Sequence, residues 1–549
     1  MTSARVLVVG AGPVGLTMAC ELQRRGVSVR VVDAAPGPTD RSKAIGIHAR
    51  TLEALDSMGI ARRFVGAGRK VHGINAYADG ARIVHVSLDD IDSPYSFILS
   101  LPQSETERLL AERLRELGGD VEREVRLAGL SQDAGGVTAT LDHAGGKVEI
   151  AQAAWVVGCD GAHSTVRHAV GLPFEGTAYE EEFVLGDMRI GWALPDDEGH
   201  AFLSPDGGIV ALPMPRGRWR LIAEASIPEP TLGDFTELLR RRGAPEHELR
   251  DPGWMAAFHI HRRLVPHYRK GRVFLAGDAA HIHSPVGGQG MNTGMQDAFN
   301  LAWKLALVEA EAAREALLES YEPERRNVAE GTIEGTDLAT RVVTLRNPVA
   351  RGIRNRLAGV LSGLEVIQKR MLAQASETAV GYRTSPIVDQ AQTSLARATV
   401  GVRVGEQPTL ADWVGFGGAP HPGDHAPDVA INDETHLFDL IRHTRSTLLL
   451  FDGAAPTPEG YENLSSIARR VRERWDAHVA VWIVVPRRAA PAQLQNTEDV
   501  LLDPRSALHR RYGAGSECLY LIRPDGYVGF RSQPATWKAL EEHLSLILV

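Results

Sequence analysis

Three glycine-bearing turns constrain this chain more than any other feature. The first is Gly10-Ala11-Gly12-Pro13-Val14-Gly15, after the β-branched run Arg5 to Val9. The second is Asp160-Gly161-Ala162-His163-Ser164-Thr165-Val166-Arg167, after Trp155 to Val157. The third is Gly277-Asp278-Ala279-Ala280-His281, after Val273 to Ala276, running on through Pro285, Gly287, Gly288, Gln289, Gly290, Met291 and Asn292. Short apolar runs that enter a turn read as buried strands of a parallel sheet. Leu16 to Arg25 reads as a helix stopped by Gly26, and Val27 to Val32 as the next strand, closed by Asp33. The N-terminus is thus a βαβ unit, and strands that arrive much later imply a discontinuous domain.

The first turn has a physical purpose. Missing side chains at Gly10, Gly12 and Gly15, with Pro13 and Val14 between them, let the backbone approach a pyrophosphate seated on the helix N-terminus. Asp33 follows Gly15 by 18 residues, where a carboxylate accepts from ribose hydroxyls. The bland alternative is an ordinary α/β turn with an acid at a strand end. No second Gly-x-Gly-x-x-Gly follows another strand, so a dedicated nicotinamide domain is not expected.

The 549 residues allow two to four domains, and 60 basic against 69 acidic residues give −9. That mild acidity supplies no reason to bind nucleic acid or anionic lipid. Arg240-Arg241-Arg242 and Arg487-Arg488 read as solvated surface. Cys20, Cys159 and Cys518 are far apart and form no CxxC, which suits a reducing cytoplasm. The N-terminus lacks signal-peptide architecture. The apolar run Val6 to Cys20 falls short of the roughly 18 residues of a membrane span.

Along the chain, Val71 to Leu101 alternates and breaks at Asp79-Gly80 and Ser93-Pro94, and strands dominate again from Gly176 to Pro266. Residues 71–97 and 176–266 are therefore expected to form a sheet domain inserted into a nucleotide domain made of 1–70, 98–175 and 267–380. Long helices are expected over Thr293 to Glu330 and Val349 to Ala373. Residues 381–427 read as a linker, and 428–549 alternate strand and helix.

Taken together, the three turns resemble the single-component, class A FAD-dependent aromatic hydroxylases, the family of para-hydroxybenzoate and phenol hydroxylase. The similarity is greatest to the bacterial branch that oxidises polyketides and carries a C-terminal thioredoxin-like domain. The resemblance implies an α/β fold: a Rossmann-type FAD domain, an inserted β-sheet substrate domain, and a thioredoxin-like domain at 428–549. Without CxxC that last domain is expected to serve packing or a homodimer contact.

The resemblance also implies site residues. Asp33 stands where the family more often has Glu. Arg41 matches an Arg beside the flavin and its phosphates, and Gln103 a Gln that contacts the cofactor. Leu127 matches a strand position whose backbone meets adenine. Asp160 to Arg167 matches a second fingerprint, associated with FAD and the nicotinamide. Two roles fit Arg167: charge near the pyrophosphate, or a brace for the turn. His163 stands where many relatives have Arg. Asp278 is placed to accept from a ribityl hydroxyl. Pro285, Gly288, Gly290, Met291 and Asn292 bring backbone to the flavin ring, and the helix that follows offers a partial positive charge to the reduced flavin. His281 and His283 form an H-x-H pair, but a metal site would need further ligands, and none is expected.

Two readings stay open for the strand Phe258 to Arg263. Alternation puts His259, His261 and Arg263 on one face. One histidine is a candidate base for phenol deprotonation, or both are polar residues of an exposed sheet face. Trp192, Phe202, Met214 and Trp219 are candidate pocket residues for a flat substrate.

The implied activity is hydroxylation of a phenolic or polycyclic aromatic substrate. NADPH or NADH, as a transient co-substrate, reduces the flavin, and O2 is carried as a C4a-hydroperoxide. Baeyer–Villiger oxygenation on the same scaffold, or a non-catalytic flavin- or aromatic-binding protein, are the alternatives. No nucleic-acid or membrane partner is expected.

Overall fold

In a computed structural model of the chain, the residues described are 4–39, 42, 44–283, 288–343, 372–373, 376–394, 407–432, 435–454, 457–495 and 499–549, with backbone alone at 178–181, 260 and 334–343. The chain divides into two compact units, Met1–Ala302 with Arg325–Thr378, and Trp303–Glu324 with Ala379–Val549. Among the described residues no helix is long and apolar enough to cross a membrane.

The first unit is built on a sheet ordered Arg269–Lys270, Val273–Leu275, Trp155–Gly158, Val6–Val9, Val29–Asp33, Val121–Arg123. From Val273–Leu275 to Val121–Arg123 every pairing is parallel. Val6–Val9 is buried at all four positions, as expected of a strand with both faces covered. Parallel strands end on one edge. Val9 lies level with Gly158 and with Val32, and Gly158 with Leu275. Register alone therefore collects Gly10, Asp33, Asp160 and Gly277 at one sheet edge, where open α/β sheets bind their ligands. A separate three-stranded sheet, Val125–Gln132, Val137–His143 and Val148–Ala153, follows the nucleotide strands.

The second sheet of this unit has nine strands and joins two distant stretches of sequence. Gly73–Ala78 pairs in parallel with Glu198–Ser204, which links residues 73–87 to residues 175–264. One face is the packed core under the amphipathic helix Leu232–Arg241. Phe235 and Leu239 of that helix meet Val184, Met188, Phe202, Ile209, Ala211, Trp219 and Leu221. The opposite face carries Ile74, Ala76, Ala201, Val210, Leu212 and Ile222, all half-buried. Cross-strand register confirms the assignment: Ala76 lies beside Ala201, Ala201 beside Val210, and Val210 beside Ile222.

The second unit holds a six-stranded sheet ordered Asp389–Gln392, Val528–Gln533, Cys518–Ile522, Ser446–Phe451, Val479–Val485, Val500–Leu502. The helices Pro458–Trp475 and Trp537–Ile547 bury Leu464, Ile467, Val471, Leu540 and Leu544 in its core. This is the thioredoxin-like arrangement. The stretch expected as a linker differs from that reading. Asp389–Gln392 is an edge strand of the sheet, and Leu410–Gly417 is a helix with a Thr409–Asp412 capping box. Short strands and single-turn caps carry little periodicity, so loop-like composition concealed them. Of the helix expected over Val349 to Ala373, all but Leu372 and Ala373 lies outside the described residues. The helix expected from Thr293 to Glu330 is two, Gly290–Glu309 and Tyr321–Val343, with a 3-10 segment Glu315–Ser320 between them.

Candidate active site

The first turn closes on itself. Gly10 has φ 101°, and a Cβ there would lie 2.4 Å from the Cys159 carbonyl oxygen, so no other residue fits. A Cβ on Gly15 would meet the Gly10 carbonyl oxygen at 1.9 Å. Gly12 is different: a Cβ there would meet nothing within 4 Å. Protein packing explains Gly10 and Gly15 but not Gly12. Gly12 is the N-cap of the helix Pro13–Gln23, without a side-chain cap, so the helix amides face open space. That is the donor set a pyrophosphate requires, and the cradle fits a dinucleotide. Asp33 braces the cradle by accepting from the Ala11 amide at 2.6 Å and the Ala35 amide at 2.7 Å. A carboxylate oxygen has two lone pairs, so capacity for a ribose hydroxyl remains.

The second turn is mainly structural. The Ser164 hydroxyl donates to Asp160 Oδ1 at 2.5 Å and the Val166 amide to Oδ2 at 3.1 Å. Asp160 is thereby committed to the short helix Thr165–Ala169, and burial pushes its carboxyl up against those bonds. Ser164 caps the same helix by accepting from the Arg167 amide at 2.9 Å. Arg167 donates to the carbonyls of Ala279 at 3.1 Å and Ala162 at 2.9 Å. Of the two roles open to it, this geometry is the brace, and it ties the second turn to the third.

The third turn meets the first in a junction without side-chain room. A Cβ on Gly277 would lie 2.8 Å from Val14 Cγ2, and one on Gly294 2.7 Å from the same atom. Behind the turn sits Asp297, fully buried. It accepts from the Gly277 amide at 3.0 Å, from Arg325 Nε at 2.6 Å and pairs with His281 Nε2 at 2.8 Å. Burial alone would raise the Asp297 carboxyl, but Arg325 and His281 outweigh it and hold it below the usual carboxylate range. Asp278 is exposed between buried Gly277 and Ala279. His281 thus serves the turn, and among the described residues no cluster of His, Cys, Asp or Glu is placed to hold a metal ion.

The loop that follows is fastened at its far end. Asn292 Oδ1 accepts from the His48 amide at 2.9 Å, while Nδ2 donates to the carbonyls of Gly46 at 2.8 Å and Gly288 at 3.0 Å. His48 Nε2 lies 3.3 Å from the Gly288 carbonyl. Gly290 and Met291 open the helix Gly290–Glu309. Gln103 opens the helix Gln103–Glu116; its Nε2 donates to Glu107 at 2.9 Å and its amide to Ser42 Oγ at 2.8 Å. Leu127 is buried opposite Leu141, so only its backbone is available to a ligand. Arg41 and Pro285 lie outside the described residues.

The pocket candidates divide differently from expectation. Phe202 and Trp219 are core residues under the helix Leu232–Arg241, and Trp192 packs on them, with the Trp192 and Trp219 rings 4.9 Å apart and T-shaped. Met214 alternates with Pro213 and Ala211, which places it on the opposite, half-exposed face. The base candidates are placed by strand register. Phe258 pairs with Phe183 and Ala256 with Leu185, in line with Ile222. His259, His261 and Arg263 alternate with them and project from the other side. His259 is exposed and bonded to Glu182 at 2.9 Å, and Arg263 lies over the Phe174 ring at 6.0 Å. A single strand's alternation shows that they share a face; which face meets the site depends on pairings between distant strands.

Asp297 and Arg325, which hold the third turn, were not singled out from sequence, nor was the buried pair Gln296 and Glu377. Asp297 and Gln296 are polar residues inside an otherwise apolar helical run, which was the available signal.

A parallel-sheet edge with a glycine cradle fit for a pyrophosphate and an acid closing the next strand is the frame of a dinucleotide-binding protein. Residues 3–336 match the FAD binding domain family, and residues 419–548 match the aromatic-ring hydroxylase C-terminal family. The chain is 34% identical over 557 residues to a 6-methylpretetramide 4-monooxygenase of Streptomyces rimosus, covering 99% of this chain and 93% of that protein. It is 33% identical over 546 residues to a pentachlorophenol 4-monooxygenase of Sphingobium chlorophenolicum, covering 96% and 94%. A solved ternary complex of aklavinone-11 hydroxylase with FAD and aklavinone superposes with a TM-score of 0.74 at 28% identity, covering 98% of both chains. The chain belongs to the FAD-dependent aromatic-ring hydroxylases that carry the C-terminal thioredoxin-like domain. It is a monooxygenase that uses FAD, with NAD(P)H as the family's reductant.

Proposed function

We propose that this enzyme hydroxylates a phenolic or polycyclic aromatic substrate of polyketide type, consuming NAD(P)H and O2. The observation that carries this reading is the half-buried apolar sheet face beside the cofactor loop. Ile74 and Val84 pack on the cluster of Ala49, Val86, Leu88 and Ile91, and Ala49 follows His48, which is bonded to Gly288 and Asn292. Leu212, Val210 and Ile222 continue that face across the sheet. A flat apolar surface suits a flat ring system, and burying it expels water from the reacting atoms.

Bound FAD supplies oxygen activation once NAD(P)H has reduced it. The protein's own work is positional. The Gly10–Gly15 turn and Asp33 hold the dinucleotide end, Asp278 serves the ribityl chain, and the Gly288–Asn292 loop presents backbone amides at the ring. No histidine of the strand Met255–Leu264 is assigned as base, so we infer that substrate activation relies on apolar positioning and on the helix dipole at Gly290.

Phenols and aromatic polyketides should be screened for stimulated NAD(P)H oxidation under 18O2, with mass and NMR analysis of products. One labelled oxygen as a ring hydroxyl is expected. A labelled lactone, or no stimulation by any aromatic compound, would overturn this reading.

A further inference from the structure

Glu377 is the anomaly of the first unit. Seven described non-glycine residues have positive φ, and Glu377, at φ 60°, is the only one of them that is buried. Such conformations persist where the surrounding structure imposes them, and they cluster at functional sites. Its carboxyl is also half-satisfied. Gln296 Nε2 donates to Oε2, while Oε1 is enclosed with no partner. An anion left this way is costly, and a neutral acid would have no acceptor for its proton.

The location gives the anomaly meaning. Gln296 lies one helical turn beyond Asn292, the residue that fastens the cofactor loop. Gln296 also reaches Thr51 Oγ1 at 3.3 Å, and the Arg50 amide donates to the Ser376 carbonyl at 3.2 Å. Three charged or titratable groups face the carboxyl: His48 and Arg50 at the start of the helix Ala49–Ser57, and Arg325 from the helix Tyr321–Val343. Both arginines are already committed, Arg50 to Glu53 at 3.2 Å and Arg325 to Asp297 at 2.6 Å. Neither neutralises Glu377 fully, and burial, the largest influence, pushes its carboxyl up.

We propose that Glu377 is a proton-linked positioning residue of the cofactor loop, protonated while the flavin is reduced and ionised while it is oxidised. The proposal rests on the FAD reading. Hydride transfer from NAD(P)H delivers two electrons and one proton and leaves the flavin negatively charged. Glu377 then takes one further proton from solvent, and no bond to carbon changes. A second negative charge at the cofactor loop is thereby avoided, and reoxidation returns the proton.

The test uses the FAD-loaded enzyme with Glu377→Gln and Glu377→Gly. Proton uptake on anaerobic reduction is read in weakly buffered solution, and the flavin midpoint potential is followed from pH 6 to 9. The wild type should take up more protons per flavin than either variant. Beyond the one-proton fall that flavin reduction itself gives all three proteins, its preference for reduced over oxidised FAD should fall by a further factor of about 5–150 as pH rises, the usual span of a coupling between two sites, and both variants should lack that additional fall. Glycine adopts φ 60° without strain, so Glu377→Gly should also melt higher than wild type. Equal proton uptake and equal potentials in wild type and Glu377→Gln would show a merely structural residue. Loss of FAD from both variants while they stay folded would also overturn the proposal, because a group that only exchanges a proton is not needed for retention. A wild type that binds no FAD would instead overturn the cofactor reading itself.

Discussion

At the scale of single residues, the acids of the three turns differ in exposure and in the groups they accept from. Asp278 is exposed between buried neighbours, and its proposed role is to accept from the ribityl chain; Asp160 and Asp297 accept from protein amides. Asp278→Ala should therefore weaken FAD binding by about 1.5–3 kcal/mol, the usual worth of a hydrogen bond to a charged group. Fluorescence titration of the apoprotein with FAD measures it, and an unchanged Kd would mean that the turn is only structural. The placement of Asp278 and Asp33 at the sheet edge was legible in sequence because it follows from a strand end and a glycine turn, which are local. Asp297 and Glu377 were not, because their partners come from elements 20 and 81 residues away. Cys518 lies fully buried in the sheet, and burial pushes its thiol far above the ordinary range. Cys518→Ser should leave NAD(P)H turnover unchanged, and a loss of turnover with the fold intact would contradict that.

At the scale of elements, the decisive contact is where the first helix, the Gly277 turn and the helix Gly290–Glu309 converge. Val14 fills the only space that side chains at Gly277 and Gly294 would need. Gly294→Ala would bring its Cβ within 3.0 Å of the Gly277 Cα as well as onto Val14. A backbone neighbour cannot rotate away, so this variant should lose bound FAD on gel filtration, and Val14→Ala should restore it only in part. Retention of FAD by Gly294→Ala would show that the helices slide apart freely. The existence of these elements was readable from apolar runs and turn residues. Their faces were readable only in relative terms. Alternation grouped His259 with His261; pairing with Glu175–Gly191 and Arg218–Glu224 puts them on the face opposite Phe258, Ala256 and Ile222, the face proposed to meet the substrate. Replacing His259 with Ala should therefore leave coupled hydroxylation within about twofold of wild type, against the 10²–10⁴-fold loss expected for a true base.

At the scale of the molecule, the second unit is organised around a buried charge cluster. Lys304 pairs with Glu324 at 2.7 Å, Arg523 also pairs with Glu324 at 2.6 Å, and Trp303 Nε1 donates to Asp525 at 3.1 Å. Ser385 donates to Glu324 at 2.6 Å, from the stretch that sequence had suggested was a linker. Burial lowers the Lys304 pKa from 10.5 to about 8, more than Glu324 raises it. The folded state therefore gives up this proton more readily than the unfolded state. Below about pH 8 both states are protonated, and the cost of burying the ammonium is fully present. Between about 8 and 10.5 the unfolded chain binds more protons, so this group makes stability rise with pH and contributes nothing further above that window. Lys304→Met should remove that rise while Glu324 keeps Arg523 and Ser385. Chemical denaturation of wild type and variant at pH 7.5, 9 and 10, followed by tryptophan fluorescence, reads the difference directly. The gap in unfolding free energy between variant and wild type should narrow as pH increases if the variant is the more stable at pH 7.5, and widen in the wild type's favour if it is the less stable. A gap independent of pH would show that Lys304 keeps an ordinary pKa inside the cluster.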